Sequence, residues 1–155
     1  MNPLTVTWAP HVYSEVGWQN FQALIHAGLN NVLGTPDGLI HRALTRIALA
    51  EMGDPFQPFI YGQVWFPVQI AVGYDIPLIM DGKNGKVEYE GNSATSDLPA
   101  FELKEIDDFW SSNTPVEHWA GSEVHRQDLN YYLPPDKERI AQGNIARYFF
   151  SYYKN

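Results

Sequence analysis

The sequence predicts an α/β domain of the doubly wound type, a parallel sheet with helices packed on its faces. Two observations carry the prediction. Between residues 4 and 80 the elements read strand, helix, strand, helix, helix, strand, and a chain that returns to its sheet through a helix pairs in parallel by a right-handed crossover. The last strand of that series, Ile76 to Met80, is apolar throughout, as a strand covered on both faces tends to be. The length, 155 residues and 17.6 kDa, is that of one domain.

Leu4-Thr5-Val6-Thr7-Trp8 is β-branched and aromatic and stops at Pro10, which predicts a short strand. Gly17 to Gly28 places Trp18, Phe21, Leu24 and Ile25 on one helical stripe. Asn30 to Leu33 is a second strand, ended by Gly34-Thr35-Pro36-Asp37-Gly38. Thr35 or Asp37 caps a helix in which Ile40, Ala43, Leu44, Ile47, Ala48 and Met52 recur at helical spacing before Gly53. Arg42 and Arg46 share one face of it, read as solvated or as an anion-facing pair. Tyr61 to Tyr74 is an apolar helix that Pro67 kinks or restarts. Residues 82–100 read as a long polar loop, Phe101 to Ser111 as a helix, and Pro115–Gly121 and Asp136–Gln142 as short helices. Ile145 to Tyr153 is a final strand. The expected organisation is one α/β unit: a sheet-and-helix core over 1–81, the loop 82–100, and a helical segment with a last strand over 101–155.

Composition excludes several classes. Apolar residues make up 45% and charged residues 18%, the reverse of a disordered chain. The formal charge is −8, which argues against nucleic acid and against an anionic membrane surface. No apolar run approaches a membrane span, and Met1 to Pro10 lacks the pattern of a signal peptide. There is no cysteine, hence no disulfide, thiolate nucleophile or cysteine zinc site. A cytoplasmic protein is expected. Thirteen of the eighteen acids lie beyond residue 80, so the first half is the more apolar scaffold.

The phosphate-binding motifs G-x-x-x-x-G-K-[ST] and G-x-G-x-x-G are absent, as is the G-x-S-x-G elbow. The histidines at 11, 26, 41, 118 and 125 show no metal-binding spacing and read as structural or surface residues. The best local candidate is Asp81-Gly82-Lys83-Asn84-Gly85-Lys86-Val87-Glu88-Tyr89, which follows a strand where an α/β sheet places its ligand. A glycine-rich turn is the plainer reading of the same residues.

Four blocks carry a family resemblance. They are Thr5-Val6-Thr7-Trp8-Ala9-Pro10-His11, Gly53-Asp54-Pro55-Phe56-Gln57-Pro58-Phe59-Ile60-Tyr61-Gly62-Gln63, Gly82-x-Asn84-Gly85-x-Val87-Glu88-Tyr89 and Asp128-Leu129-Asn130-Tyr131-Tyr132-Leu133-Pro134-Pro135. In this order, and over nearly the whole chain, they resemble the N-acetyl sugar amidotransferases of bacterial surface-polysaccharide (lipopolysaccharide and O-antigen) biosynthesis. That family looks like the PP-loop ATP pyrophosphatases, with a Rossmann-like, adenine-nucleotide α-hydrolase-like fold. The resemblance implies conversion of a sugar acetamido group to acetamidino. ATP with magnesium would adenylate the amide oxygen, and ammonia from a partner glutaminase would displace AMP. It implies that Thr7, Trp8, Asp81, Gly82 and Asn84 face the nucleotide. Tyr61, Gln63, Glu88 and Tyr89 would face the sugar nucleotide. It assigns no catalytic base.

The sequence also departs from the family. The family's cysteine-containing segment and its S-G-G-K-D-S pyrophosphate loop lie upstream of the first block and are absent here. Lys83 and Glu90 stand where an acid and a small residue are expected. The chain is therefore expected to be the central fragment of such an enzyme, to lack the first strand with its loop, and to be inactive alone. The alternative is a non-catalytic module that binds the sugar nucleotide or docks on the glutaminase. Open sheet edges predict self-association.

Overall fold

The structure is a computed structural model and describes residues 3–82, 100 and 114–153. β1 (Leu4–Trp8) runs parallel to β2 (Asn30–Gly34), with Leu4 opposite Asn30 and Trp8 opposite Gly34. β3 (Leu78–Asp81) runs parallel to β4 (Ala146–Phe149), with Leu78 opposite Ala146 and Asp81 opposite Phe149. The α/β class and the parallel pairing follow the sequence. Among the described residues the strands form two separate pairs, and β1 and β3 share no ladder.

The helices α1 (Glu15–His26) and α2 (Gly38–Met52) start on side-chain caps. Ser14 Oγ accepts from the Gly17 N–H at 3.0 Å. Asp37 Oδ1 accepts from Leu39 and Ile40 at 2.7 and 3.3 Å, which decides between the two candidate caps. The predicted stripe of α1 finds little cover: no residue of this helix is buried, and Trp18 packs mainly on Tyr13 and Phe21.

α3 (Gln57–Gly73) is the central element. It begins four residues earlier than Tyr61, because Pro58 suits a first turn, and it runs unbroken through Pro67. A helix apolar on every side must be covered on every side, and Pro58, Tyr61, Val64, Trp65, Phe66, Val68 and Val72 are all buried. Its approach to the strands depends on missing side chains. A Cβ on Gly62 would fall within the Trp8 ring, and one on Gly34 would meet the Phe66 ring at 2.5 Å. Backbone and aromatic ring thus occupy space that alanine would fill.

Cover on both faces of β3 is not found. Leu78 is 46% and Met80 is 42% exposed, whereas Ile79 and Asp81 point to the packed side. The pleat sends alternate residues to opposite faces, and the Leu78–Met80 face stays open. The final strand is also shorter than predicted, since Phe150–Tyr153 forms a 3-10 turn after Phe149.

The segments around 115–121 and 136–142 form a 3-10 turn, Val116–Trp119, and α4 (Lys137–Gln142). A further 3-10 turn, Arg126–Leu129, leads into the buried Tyr132. The predicted helix Phe101–Ser111 and most of the loop 82–100 lie outside the described residues. Among the described residues no helix is long and apolar enough to cross a membrane.

Candidate functional site

In an open α/β sheet ligands sit beyond the carboxyl ends of the strands. Each of the two strand pairs has such an end here.

Asp81, the last residue of β3, and Arg147, the second residue of β4, lie on the packed face. Arg147 Nε and Nη2 donate to the two Asp81 oxygens at 2.5 and 2.9 Å, and Nη1 donates to the Val64 carbonyl of α3 at 2.8 Å. The Arg147 side chain is 3% exposed and that of Asp81 13%. The fork geometry suits a guanidinium, and it engages both oxygens of the carboxylate expected to face a nucleotide. Gly82 follows on the surface. Asn84, Glu88 and Tyr89 lie outside the described residues.

At the end of β1 and β2, side chains from separate parts of the chain converge. Trp8, 8% exposed, packs on Phe66 and on the tyrosines Tyr131 and Tyr132, with centroids 5.6, 6.5 and 5.7 Å away. Tyr132 lies 5.7 Å from the ring of His41, and the Tyr132 hydroxyl and His41 Nδ1 share a hydrogen bond at 2.8 Å. His11, on the loop after β1, stacks 4.1 Å from His41 and 5.9 Å from Phe59. Phe59 and Gly62 are one turn apart on α3, and Gly62 abuts Trp8, so the contacts close into a ring. His11 is its exposed member.

The electrostatics of this ring are distinctive. Burial, with the charge of His11 second, pulls the His41 pKa down to about 4, so the imidazole is neutral at pH 7. Burial, then the nearby Asp37 carboxylate, pushes the Tyr132 hydroxyl up, so it keeps its proton. Two buried nitrogens of the ring, Trp8 Nε1 and His41 Nε2, have no hydrogen-bond partner among the described residues.

The residues expected to bind ligand are thus dispersed. Thr7 and Trp8 point to opposite faces of β1, and Thr7 Oγ1 accepts from Asn31 Nδ2 at 3.0 Å. Tyr61 and Gln63 are two apart on α3 and so diverge by more than a right angle. Tyr61 is buried against Trp119 and donates its hydroxyl proton to the Thr114 carbonyl. His11, His41 and Tyr132 escaped the sequence reading as functional residues. The available signal was position: His11 and His41 both follow strand ends, and Tyr132 stands in a block of the resemblance.

Among the described residues no group of three or more His, Asp or Glu side chains could hold a metal ion. A scan against protein-family models finds no match, and a search of curated proteins finds none.

Proposed function

We propose that this chain forms the acceptor-sugar side of an ATP-dependent N-acetyl sugar amidotransferase acting on a nucleotide sugar in surface-polysaccharide synthesis. One observation carries the reading. Three of the four blocks that resemble that family, Thr5–His11, Gly53–Gln63 and Asp128–Pro135, meet in a single ring of side chains at the carboxyl ends of β1 and β2. Residues far apart in the chain that gather at a strand end are what a binding site in this class of fold requires.

The described residues do not fit magnesium–ATP. Asp81 is held by Arg147, and the sequence carries none of the phosphate-binding motifs named above. No step through ATP is assigned to this chain. Ammonia would come from a glutaminase partner.

The exposed Leu78–Met80 face favours a second reading, a non-catalytic module that docks on that partner. Calorimetric titration with UDP-N-acetylglucosamine and with the glutaminase separates the two. The first reading expects UDP-N-acetylglucosamine to bind the chain, whereas a docking module binds the glutaminase and not the sugar nucleotide. Failure of the sugar nucleotide to bind would overturn the first reading.

A further inference from the structure

We propose that the hollow between the carboxyl ends of α3 and α4 binds a free α-amino acid with an apolar side chain, its ammonium on Asp75 and its carboxylate on Arg139. The hollow shares no residue with the aromatic ring or with the Asp81–Arg147 pair, and the proposal is independent of the amidotransferase reading.

The hollow measures about 270 Å³. Pockets that take drug-sized ligands run from roughly 300 to 1,000 Å³, so this one suits a single small metabolite rather than a nucleotide. Val72 is buried and Ile76 and Ile145 are half-buried, whereas Asp75, Arg139 and Gln142 are exposed. The space therefore has an apolar floor and a polar rim. Asp75 and Arg139 line the same space with opposite charges, yet they are not paired with each other. Among the described residues the side chains of Asp75, Arg139 and Gln142 have no ion-pair or hydrogen-bond partner.

The backbone holds Asp75 at this corner. It takes the left-handed conformation, φ 53°, in the turn after α3, and the next N–H, that of Ile76, donates to the Ala71 carbonyl at 2.9 Å. Glycine would adopt that conformation at less cost. What aspartate adds there is a carboxylate at the hollow.

Charge selects the ligand. Both α3 and α4 end at the hollow, so the carbonyls of two helix termini lie beside it. A lone anion drawn to Arg139 would meet those carbonyls and Asp75. A lone cation drawn to Asp75 would meet Arg139. A ligand that carries both charges meets neither penalty: its ammonium donates to Asp75, and its carboxylate accepts from the guanidinium fork. The Gln142 amide is both donor and acceptor and serves either end. An apolar side chain on the same ligand covers Val72, Ile76 and Ile145.

The test is 1H–13C methyl NMR of the 155-residue chain, with the Ile76 and Ile145 Cδ1 signals identified by their loss in Ile76→Val and Ile145→Val. Leucine at millimolar concentration is expected to shift both. Isopentylamine, which is leucine without its carboxylate, and isocaproate, which is leucine without its ammonium, are expected to leave them in place. Asp75→Asn keeps a residue that tolerates the left-handed turn and removes the charge. That variant and Arg139→Gln should each weaken leucine binding about tenfold, the value of one hydrogen bond to a charged group. Both positions are exposed, which spares the fold, and the two analogues test the wild-type chain whatever the variants do. Signals that leucine leaves unmoved, or that either analogue shifts equally, overturn the proposal. So does leucine binding that either variant leaves at full strength.

Discussion

The carboxyl ends of the two strand pairs solve the same problem in opposite ways. At the carboxyl end of β3 the charged groups are closed on one another: Arg147, from within β4, engages both oxygens of Asp81 and the Val64 carbonyl. At the ends of β1 and β2 the rings are packed as tightly, yet Trp8 Nε1 and His41 Nε2 have no partner among the described residues. A satisfied polar cluster fixes the position of elements, here β3 and β4 beneath α3. An unsatisfied one at an equivalent place is where binding energy is available. Sequence position alone made Asp81 and Trp8 look alike, since each ends a strand.

The largest expected effect tests the closed end. Arg147→Ala should cost about 3–5 kcal/mol, because it leaves a carboxylate against the core without its counter-charge. The double variant Asp81→Leu/Arg147→Met should recover most of that loss, since apolar groups of similar volume need no partner. Urea unfolding of the wild type, the single variant and the double variant reads both. A double variant as unstable as the single one would mean that Arg147 acts through the Val64 carbonyl instead, and the contrast between the two ends would lose its electrostatic basis.

The open end should respond to pH. The folded-state pKa of His41 lies near 4, below its ordinary value of 6.5, so the unfolded chain takes up the proton first as pH falls. The neutral imidazole therefore contributes its full stability above about pH 6.5 and loses it progressively between 6.5 and 4. With solvent relaxation allowed for, the loss should amount to roughly 1–2 kcal/mol. Asp37 faces the same cluster and His11 stacks on it. Comparing the slope of stability against pH in wild type and His41→Phe isolates the one group. A slope unchanged by the substitution would mean that His41 takes up its proton over the same pH range in the folded and unfolded chains, and that burial does not set its charge.

Local signals were legible wherever one residue type does one physical job. Asp37 caps α2, Gly53 ends it with φ 73°, and the β-branched run before Pro10 forms β1. Pro67 was ambiguous because its effect depends on what surrounds the helix, and α3 is held on nearly every side. The number of sheets was not legible: an apolar strand reads the same whether one face or both are covered, and Leu78 and Met80 are exposed. The candidate site was half legible. The blocks that converge on it could be quoted, but their meeting depends on tertiary contacts. His41 sits 91 residues from the hydroxyl it is hydrogen-bonded to. The pairing of Asp81 was illegible for the same reason, since its partner Arg147 lies 66 residues away.

The smallest effect concerns how the chain enters each pair. β2 is reached through Gly28 at φ 86°, where a left-handed residue costs nothing. β3 and β4 are reached through Asp75 at φ 53° and Asn144 at φ 46°, each the left-handed residue that ends a helix. In both, the next residue closes the turn: the Ile76 N–H donates to the Ala71 carbonyl at 2.9 Å, and the Ile145 N–H to the Ile140 carbonyl at 3.5 Å. Asn tolerates this conformation better than Asp, because its uncharged amide can bond locally without placing a negative charge near the exposed carbonyls of the helix end. Asp75→Gly should therefore raise stability by about 0.5–1 kcal/mol, and Asn144→Gly by less, part of each gain being offset by the greater freedom of glycine in the unfolded chain. Thermal unfolding of the two variants measures the difference. A loss of stability in Asp75→Gly would show that its carboxylate is engaged at the hollow it lines with Arg139 and Gln142, and that the β3–β4 pair is closed by charge at its entrance as well as at its end.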